Sequence, residues 1–389
     1  MVKIPNFVKT LIPFQPGKPI EELAREKKLS RIVKLASNEN PLGPSPKSLE
    51  AITKALPHLH RYVDSRSHEL VQAIANKYNI EPEHIICGHG TDSLLAYIIN
   101  AFTREKDEIL TAAGTFIGLF VNTRKFGRKI NKVPLKNYSF DLKALIENIS
   151  ENTTIIYLAN PNNPTGTMFG YKEFEIFMEQ VPSNILVILD EAYTIYASAN
   201  PNYPNGVRYE YENMVVLRTL SKIYGLAGLR IGFAVGPTDI IKALYKVKLP
   251  FEPNLLAQKA AIAALDDDQF LTETVATNKK SLALMTAKFK ELGMEQINTT
   301  ANFILLLMPD KEFARDFYNE CLNNGLIVRH VEPFGIPNGI RINSGTENET
   351  LFALDVIEKV YSQLLKTFNK SVKRKVNKEN NNEIRILQK

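Results

Sequence analysis

Two cysteines in 389 residues, Cys87 and Cys321, exclude a disulfide framework, and their separation matches no metal-binding spacing. The six histidines form no HExxH pattern, so no metal site is expected. No apolar run is long enough to span a bilayer. The opening residues, MVKIPNFVKTLIPF, lack the apolar core and small-residue cleavage site of a secretion signal. A reducing cytoplasm and no membrane partner are therefore expected. One-signed charge is also scarce in most of the chain. The net charge is +6, but residues 370–389 hold seven Lys or Arg against two Glu. The remaining body is near neutral, which argues against a nucleic-acid surface. The tail is rich in Asn and Lys and reads as a disordered extension.

What is present is ordinary in bulk: 44% hydrophobic and 23% charged residues, enough for one large or two modest cores. Short apolar runs alternate with helical patterns. HIIC leads into GHGTD and then SLLAYIINAF; TIIYLAN, 154–160, ends in PNNPTG; NILVILD, 184–190, ends in EAY. That alternation predicts an α/β domain with a largely parallel sheet. Polar residues gather at the carboxyl ends of these runs, where open α/β sheets place ligands. NFILLLM, 302–308, then a helical stretch, LIVRHV and GIRINSG predict a second, smaller α/β unit.

The chemistry-bearing residues sit at those run ends. Lys222 follows the apolar run MVVLRTL, beside Gly225, Gly228, Gly232 and Arg230. A lysine there is a candidate for Schiff-base chemistry with a phosphorylated cofactor; a surface lysine past a strand end is the plain alternative. Asp190 closes ILVILD, where a carboxylate needs a cationic partner or serves as a helix cap. Tyr193 lies three residues on. NPNNPTG, Asn160 to Gly166, fixes a rigid loop that can aim an asparagine at a ligand or simply make a turn. GHGTDS, Gly88 to Ser93, is neither GxxxxGK[ST] nor GxGxxG. It offers Thr91 and Asp92 at a helix start, either for an anion or as an ordinary Asp cap. Together the set has the parts of a pyridoxal phosphate site. Lys222 carries the cofactor and moves a proton, and Asp190 pairs the ring nitrogen. Asn163 and Tyr193 bond the phenolic oxygen, and Arg230 with the helix start holds the phosphate.

At this point the chain resembles the fold-type I pyridoxal phosphate-dependent aminotransferases, in particular those acting on histidinol phosphate. The likeness runs from about Phe14 to Leu364. It rests on PFQPGKPIEEL, KLASNENPLGPSP, HRYVD, NPNNPTG, LDEAY, LRTLSKIYGLAGLRIGF and IRINSGT, in family order and spacing. The resemblance implies catalytic roles for Lys222, Asp190 and Tyr193. It implies phosphate contacts from Thr91, Asp92, Thr219, Ser221 and Arg230, and a ring-stacking Phe116. Tyr62 would reach the phosphate from a partner subunit, which implies a homodimer with shared sites. Phe14, Asn163, Arg329 and Arg341 would meet substrate, the two arginines through its anionic group. The chain departs from the family pattern at Phe14, where a tyrosine is common, and at Val63, Ser93 and the AAGTFIGLF segment.

The expected fold is thus a fold-type I transferase in two parts. Residues 46–255 form the large cofactor-binding domain. Residues 1–45 and 256–366 form an N-terminal arm and small domain, and 367–389 a disordered tail. The expected reaction exchanges L-histidinol phosphate and 2-oxoglutarate for imidazole acetol phosphate and L-glutamate, by a ping-pong route. An aromatic amino-acid aminotransferase and a phosphothreonine decarboxylase share the scaffold. A non-catalytic module on the same scaffold is the reading from a different class, against which the retained Lys222, Asp190, Tyr193 and Arg230 argue.

Overall fold

A computed structural model describes residues 2–11 and 17–387. Its centre is a seven-stranded sheet, laid out as Ile85–Gly88, Gly232–Val235, Met214–Thr219, Leu186–Asp190, Thr153–Ala159, Glu108–Ala112 and Lys129–Val133. Only Gly232–Val235 runs against the others. The central strands are mostly apolar and buried because helices cover both faces, as parallel sheets require. Leu186–Asp190 is buried at every position, its terminal carboxylate included.

The strand register sets the site. Ala159 pairs with Asp190, Asp190 with Leu217, Thr219 with Gly232, and Gly232 with Gly88. One edge of the sheet therefore carries Asp190, Thr219, the Asn160 loop and the start of the Gly90–Phe102 helix side by side. That is the carboxyl edge of the parallel strands.

A second, antiparallel sheet has the order Arg329–His330, Gly339–Asn343, Phe303–Leu307, Glu295–Ile297. Val33–Lys34 pairs separately with Leu326–Ile327, tying the N-terminal segment to this unit. Each sheet has its own core.

Two expectations differ from what is observed. Ala257, Ala260, Ala261, Ala264 and Leu265 belong to the first core, so a boundary at 256 falls too early. Their helix, Leu255–Leu265, is rich in small residues and packs closely on Pro46–Ala55 and His68–Tyr78. The last helix spans Glu347–Leu387 and so includes most of the tail expected to be disordered. A segment poor in apolar residues has no core of its own. It can still extend a helix nucleated upstream, because propagation is far easier than nucleation.

Candidate active site

A cavity of ~280 Å³ opens at the carboxyl edge of the large sheet, facing the smaller one. Lys222, Asp190, Tyr193, Asn163, Thr91, Asp92, Phe116, Thr219, Ser221, Arg230, Arg329 and Arg341 all line it. Tyr62 does not. It is 84% exposed and stacks on Phe251 with ring centres 4.3 Å apart. Phe14 lies outside the described residues.

Lys222 is at the turn after Met214–Thr219. Its Nζ donates to the Ser37 carbonyl at 3.0 Å. Burial, joined by the positive charge of Arg341, brings the amine down to about 8. A lysine so lowered has a useful share of free base near neutrality. Asp190 accepts from the Tyr157 hydroxyl at 2.8 Å and from the Ala192 N–H at 3.1 Å. Burial nevertheless lifts its carboxyl to about 6. Two hydrogen bonds do not replace water around a buried carboxylate, and a cation in the cavity would. The Ala192 bond resembles a turn cap, but the other oxygen is held by Tyr157, which a cap does not need. Tyr193 is buried and accepts from Asn38 Nδ2 at 2.7 Å. The two central asparagines of NPNNPTG have different tasks. Asn162 bonds Thr115, Gly114 and Thr165 and fixes the loop. Asn163 faces the cavity and accepts from Arg341 Nη1.

The opposite end of the cavity is built for an anion. The helix Gly90–Phe102 begins there with no side-chain cap among the described residues. Asp92 lies inside its first turn, so the ordinary Asp cap is ruled out. A Cβ on Gly232 would come within 3.1 Å of the Thr91 nitrogen, so glycine keeps that N–H clear. A Cβ on Gly90 would stand 2.7 Å from Arg230 Nη2. Arg230 reaches Asp92 at 3.1 Å and the Ser221 hydroxyl at 3.4 Å. The Thr219 hydroxyl accepts from the Ser221 N–H at 3.0 Å, shaping the turn that carries Ser221 and Lys222.

Arg329 and Arg341 are directly opposite on paired strands. Like charges in that position repel. Arg341 is 4% exposed and forms no ion pair with a carboxylate among the described residues. Its Nη2 donates to the Ala36 carbonyl at 2.7 Å, and its Nε has no partner among those residues. Burial, with Arg329 adding to it, brings its guanidinium down to about 10. The alternative of a structural pair with a core carboxylate fails for Arg341. A buried, underpartnered guanidinium beside a second arginine calls for an anionic ligand.

Sequence reading missed Tyr157, Ser37, Asn38 and Phe334. Tyr157 is hidden inside an apolar run that reads as core. Ser37 acts through its backbone carbonyl, which no residue type announces. Asn38 has a left-handed φ of 55°, and an asparagine tolerates that conformation without announcing it. Phe334 lies under both arginines, 5.8 and 5.6 Å from their guanidinium carbons.

These features fit pyridoxal 5'-phosphate: a half-buried amine of lowered basicity, a buried carboxylate short of a cation, and an uncapped helix start beside Arg230. Residues 30–357 match the family model for aminotransferase class I and II. Histidinol-phosphate aminotransferase 2 of Pasteurella multocida is 41% identical over 343 residues, which are 88% of this chain and 93% of that protein. The histidinol-phosphate aminotransferase of Moorella thermoacetica is 39% identical, over 87% of this chain and 88% of its own. The crystal structure of histidinol-phosphate aminotransferase from Sinorhizobium meliloti, in complex with pyridoxal-5'-phosphate, superposes with a TM-score of 0.86. It is 26% identical and covers 94% of this chain and 99% of its own. Aspartate aminotransferase from Thermus thermophilus, at 20% identity, shares the fold with a TM-score of 0.79 over 92% of this chain and all of its own. The chain belongs to the class I and II aminotransferases.

Proposed function

We propose that this cavity carries out pyridoxal 5'-phosphate-dependent transamination between L-histidinol phosphate and 2-oxoglutarate, giving imidazole acetol phosphate and L-glutamate. The observation that carries the reading is the half-buried Lys222 amine, lowered to about 8, in one cavity with the opposed arginines 329 and 341. When bound, the cofactor supplies a carbonyl that takes up the amino nitrogen and a ring that withdraws electrons from Cα. The residues do the rest. Asp190 pairs its carboxylate with the protonated ring nitrogen. Tyr193 and Asn163 hydrogen-bond the phenolic oxygen, and Phe116 flanks the ring. Arg230, Ser221, Thr219 and the backbone N–H groups of Thr91 and Asp92 hold the phosphate. Lys222 Nζ would take the proton from substrate Cα and return it to the cofactor's former carbonyl carbon, on the far side of the amino nitrogen. Arg341 binds the anionic group common to both substrates, and Arg329 adds preference for the phosphate ester.

We further propose a homodimer in which Tyr62 serves the neighbouring site. Its support is the exposure of Leu59, Tyr62, Leu249 and Phe251, with Tyr62 stacked on Phe251 at the surface, outside the cavity of its own chain. Two buried free thiols, Cys87 and Cys321, agree with a reducing cytoplasm. Loading the protein with cofactor, reducing it with borohydride and mapping the labelled peptide tests the assignment. The label should fall on Lys222. Lys222→Ala should be folded, hold cofactor non-covalently and show no turnover. Normal turnover in that variant would sink the reading.

A further inference from the structure

Ala36, Ser37 and Asn38 line the cavity, and each of the three holds a group of the site. Ala36 and Ser37 offer carbonyls to Arg341 and Lys222, and Asn38 offers its side chain to Tyr193. Asn38 is 1% exposed and held from both sides by the smaller sheet. Its N–H donates to Asn343 Oδ1 at 3.0 Å, and its carbonyl accepts from Asn302 Nδ2 at 3.2 Å. Its φ of 55° is in the left-handed region, which costs an asparagine less than most residues. Its Oδ1 has no partner among the described residues. An amide kept in a left-handed turn with an unmet acceptor is a local cost that packing alone does not explain.

We propose that Asn38 is a positioning residue for Tyr193: its amide donates to the phenol oxygen and so turns the phenol's own hydrogen into the cavity. A phenol has one O–H. With Asn38 Nδ2 at 2.7 Å, that hydrogen cannot point toward Asn38. Among the described residues the Tyr193 hydroxyl has no protein acceptor, and its ring is fixed edge-on to Phe303 with centroids 5.2 Å apart. The hydroxyl is left as a donor aimed at a ligand oxygen. The smaller sheet, through Asn343, Asn302 and Asn38, thereby sets the donor direction of a tyrosine on the larger one. This rests on the reading that Tyr193 bonds the cofactor's phenolic oxygen.

The test is a pH titration of the visible absorption of bound cofactor in the resting holoenzyme, a readout independent of turnover. A donor to the phenolic oxygen favours the deprotonated chromophore. Tyr193→Phe should therefore raise the midpoint, by about one pH unit or more for a charge-assisted bond. Asn38→Gly suits the backbone and removes the amide. It should raise the midpoint part of the way, and should do nothing further in the Tyr193→Phe background. Asn38→Asp gives a second comparison should the glycine variant not fold. Its carboxylate accepts the phenol's hydrogen, so its shift should be larger with Tyr193 present than in the Tyr193→Phe background. If Asn38→Gly lowers Tm but leaves the midpoint alone, or if either substitution shifts it equally in both backgrounds, Asn38 is only structural. If Tyr193→Phe itself leaves the midpoint unchanged, the role given to Tyr193 fails and takes the inference with it.

Discussion

Asp190 is the residue at which the proposed role can be weighed against a cost in stability. Its carboxyl stands at about 6 in the fold, against an ordinary 3.8, because burial outweighs the bonds from Tyr157 and Ala192. Between those two values the folded chain keeps a proton that the unfolded chain has lost. Stability therefore falls as pH rises through that window, and the penalty is complete above it. Asp190→Asn removes the charge. The cofactor-free variant should be more stable than the parent at pH 7, by on the order of 3 kcal/mol. The advantage should shrink to nothing below about pH 4. With cofactor the order should reverse. The ring nitrogen loses its partner, and turnover should fall roughly 100- to 1,000-fold, the size expected for an unpaired buried charge. Denaturation of both forms across pH, with kcat for the loaded enzyme, checks each half. A parent as stable as the variant at pH 7 would mean that Asp190 is not strained by burial.

At the scale of elements, the pairing of Arg329–His330 with Gly339–Asn343 is decisive, because it puts two guanidinium groups opposite each other. Arg341 has the smaller freedom, held between the Ala36 carbonyl and Asn163. Arg341→Lys keeps the charge but loses the planar two-point grip. It should cost both half-reactions about 1.5–3 kcal/mol in kcat/KM. Arg329→Lys should harm the phosphate ester more than glutamate. If Arg329→Lys lowered Tm and left histidinol phosphate untouched, Arg329 would be structural. This arrangement was only half legible in the sequence. The apolar runs announced the strands, and polar residues at their ends announced Lys222 and Asp190. Nothing local announced that residues 329 and 341 would be cross-strand neighbours, since register depends on the whole sheet. The loop was read as aiming Asn163 at a ligand, but the part of Asn162 in fixing that loop, through Thr115, Gly114 and Thr165, was not legible. Tyr157 looked like core, and 0% exposure agrees, yet its hydroxyl serves Asp190. Helix Leu255–Leu265 was placed with the wrong unit because an alanine-rich pattern does not say which core it joins.

For the whole molecule, the position of Tyr62 poses the main question. It lies outside the cavity of its own chain, on an exposed apolar surface. If it completes the neighbour's site, Tyr62→Phe should weaken cofactor retention. Co-expression with Lys222→Ala should then produce mixed dimers with one intact site and activity above either parent. No gain, with a measurable Tyr62 defect, would favour a site confined to one subunit.

The reaction of the assembled enzyme is reached most directly by one comparison of substrates. The loaded protein is given histidinol phosphate, phenylalanine, tyrosine or phosphothreonine with 2-oxoglutarate, and kcat/KM is measured for each. The paired arginines predict the highest value for histidinol phosphate, with one glutamate formed per imidazole acetol phosphate. A higher value for phenylalanine or tyrosine, or carbon dioxide released from phosphothreonine, would contradict it.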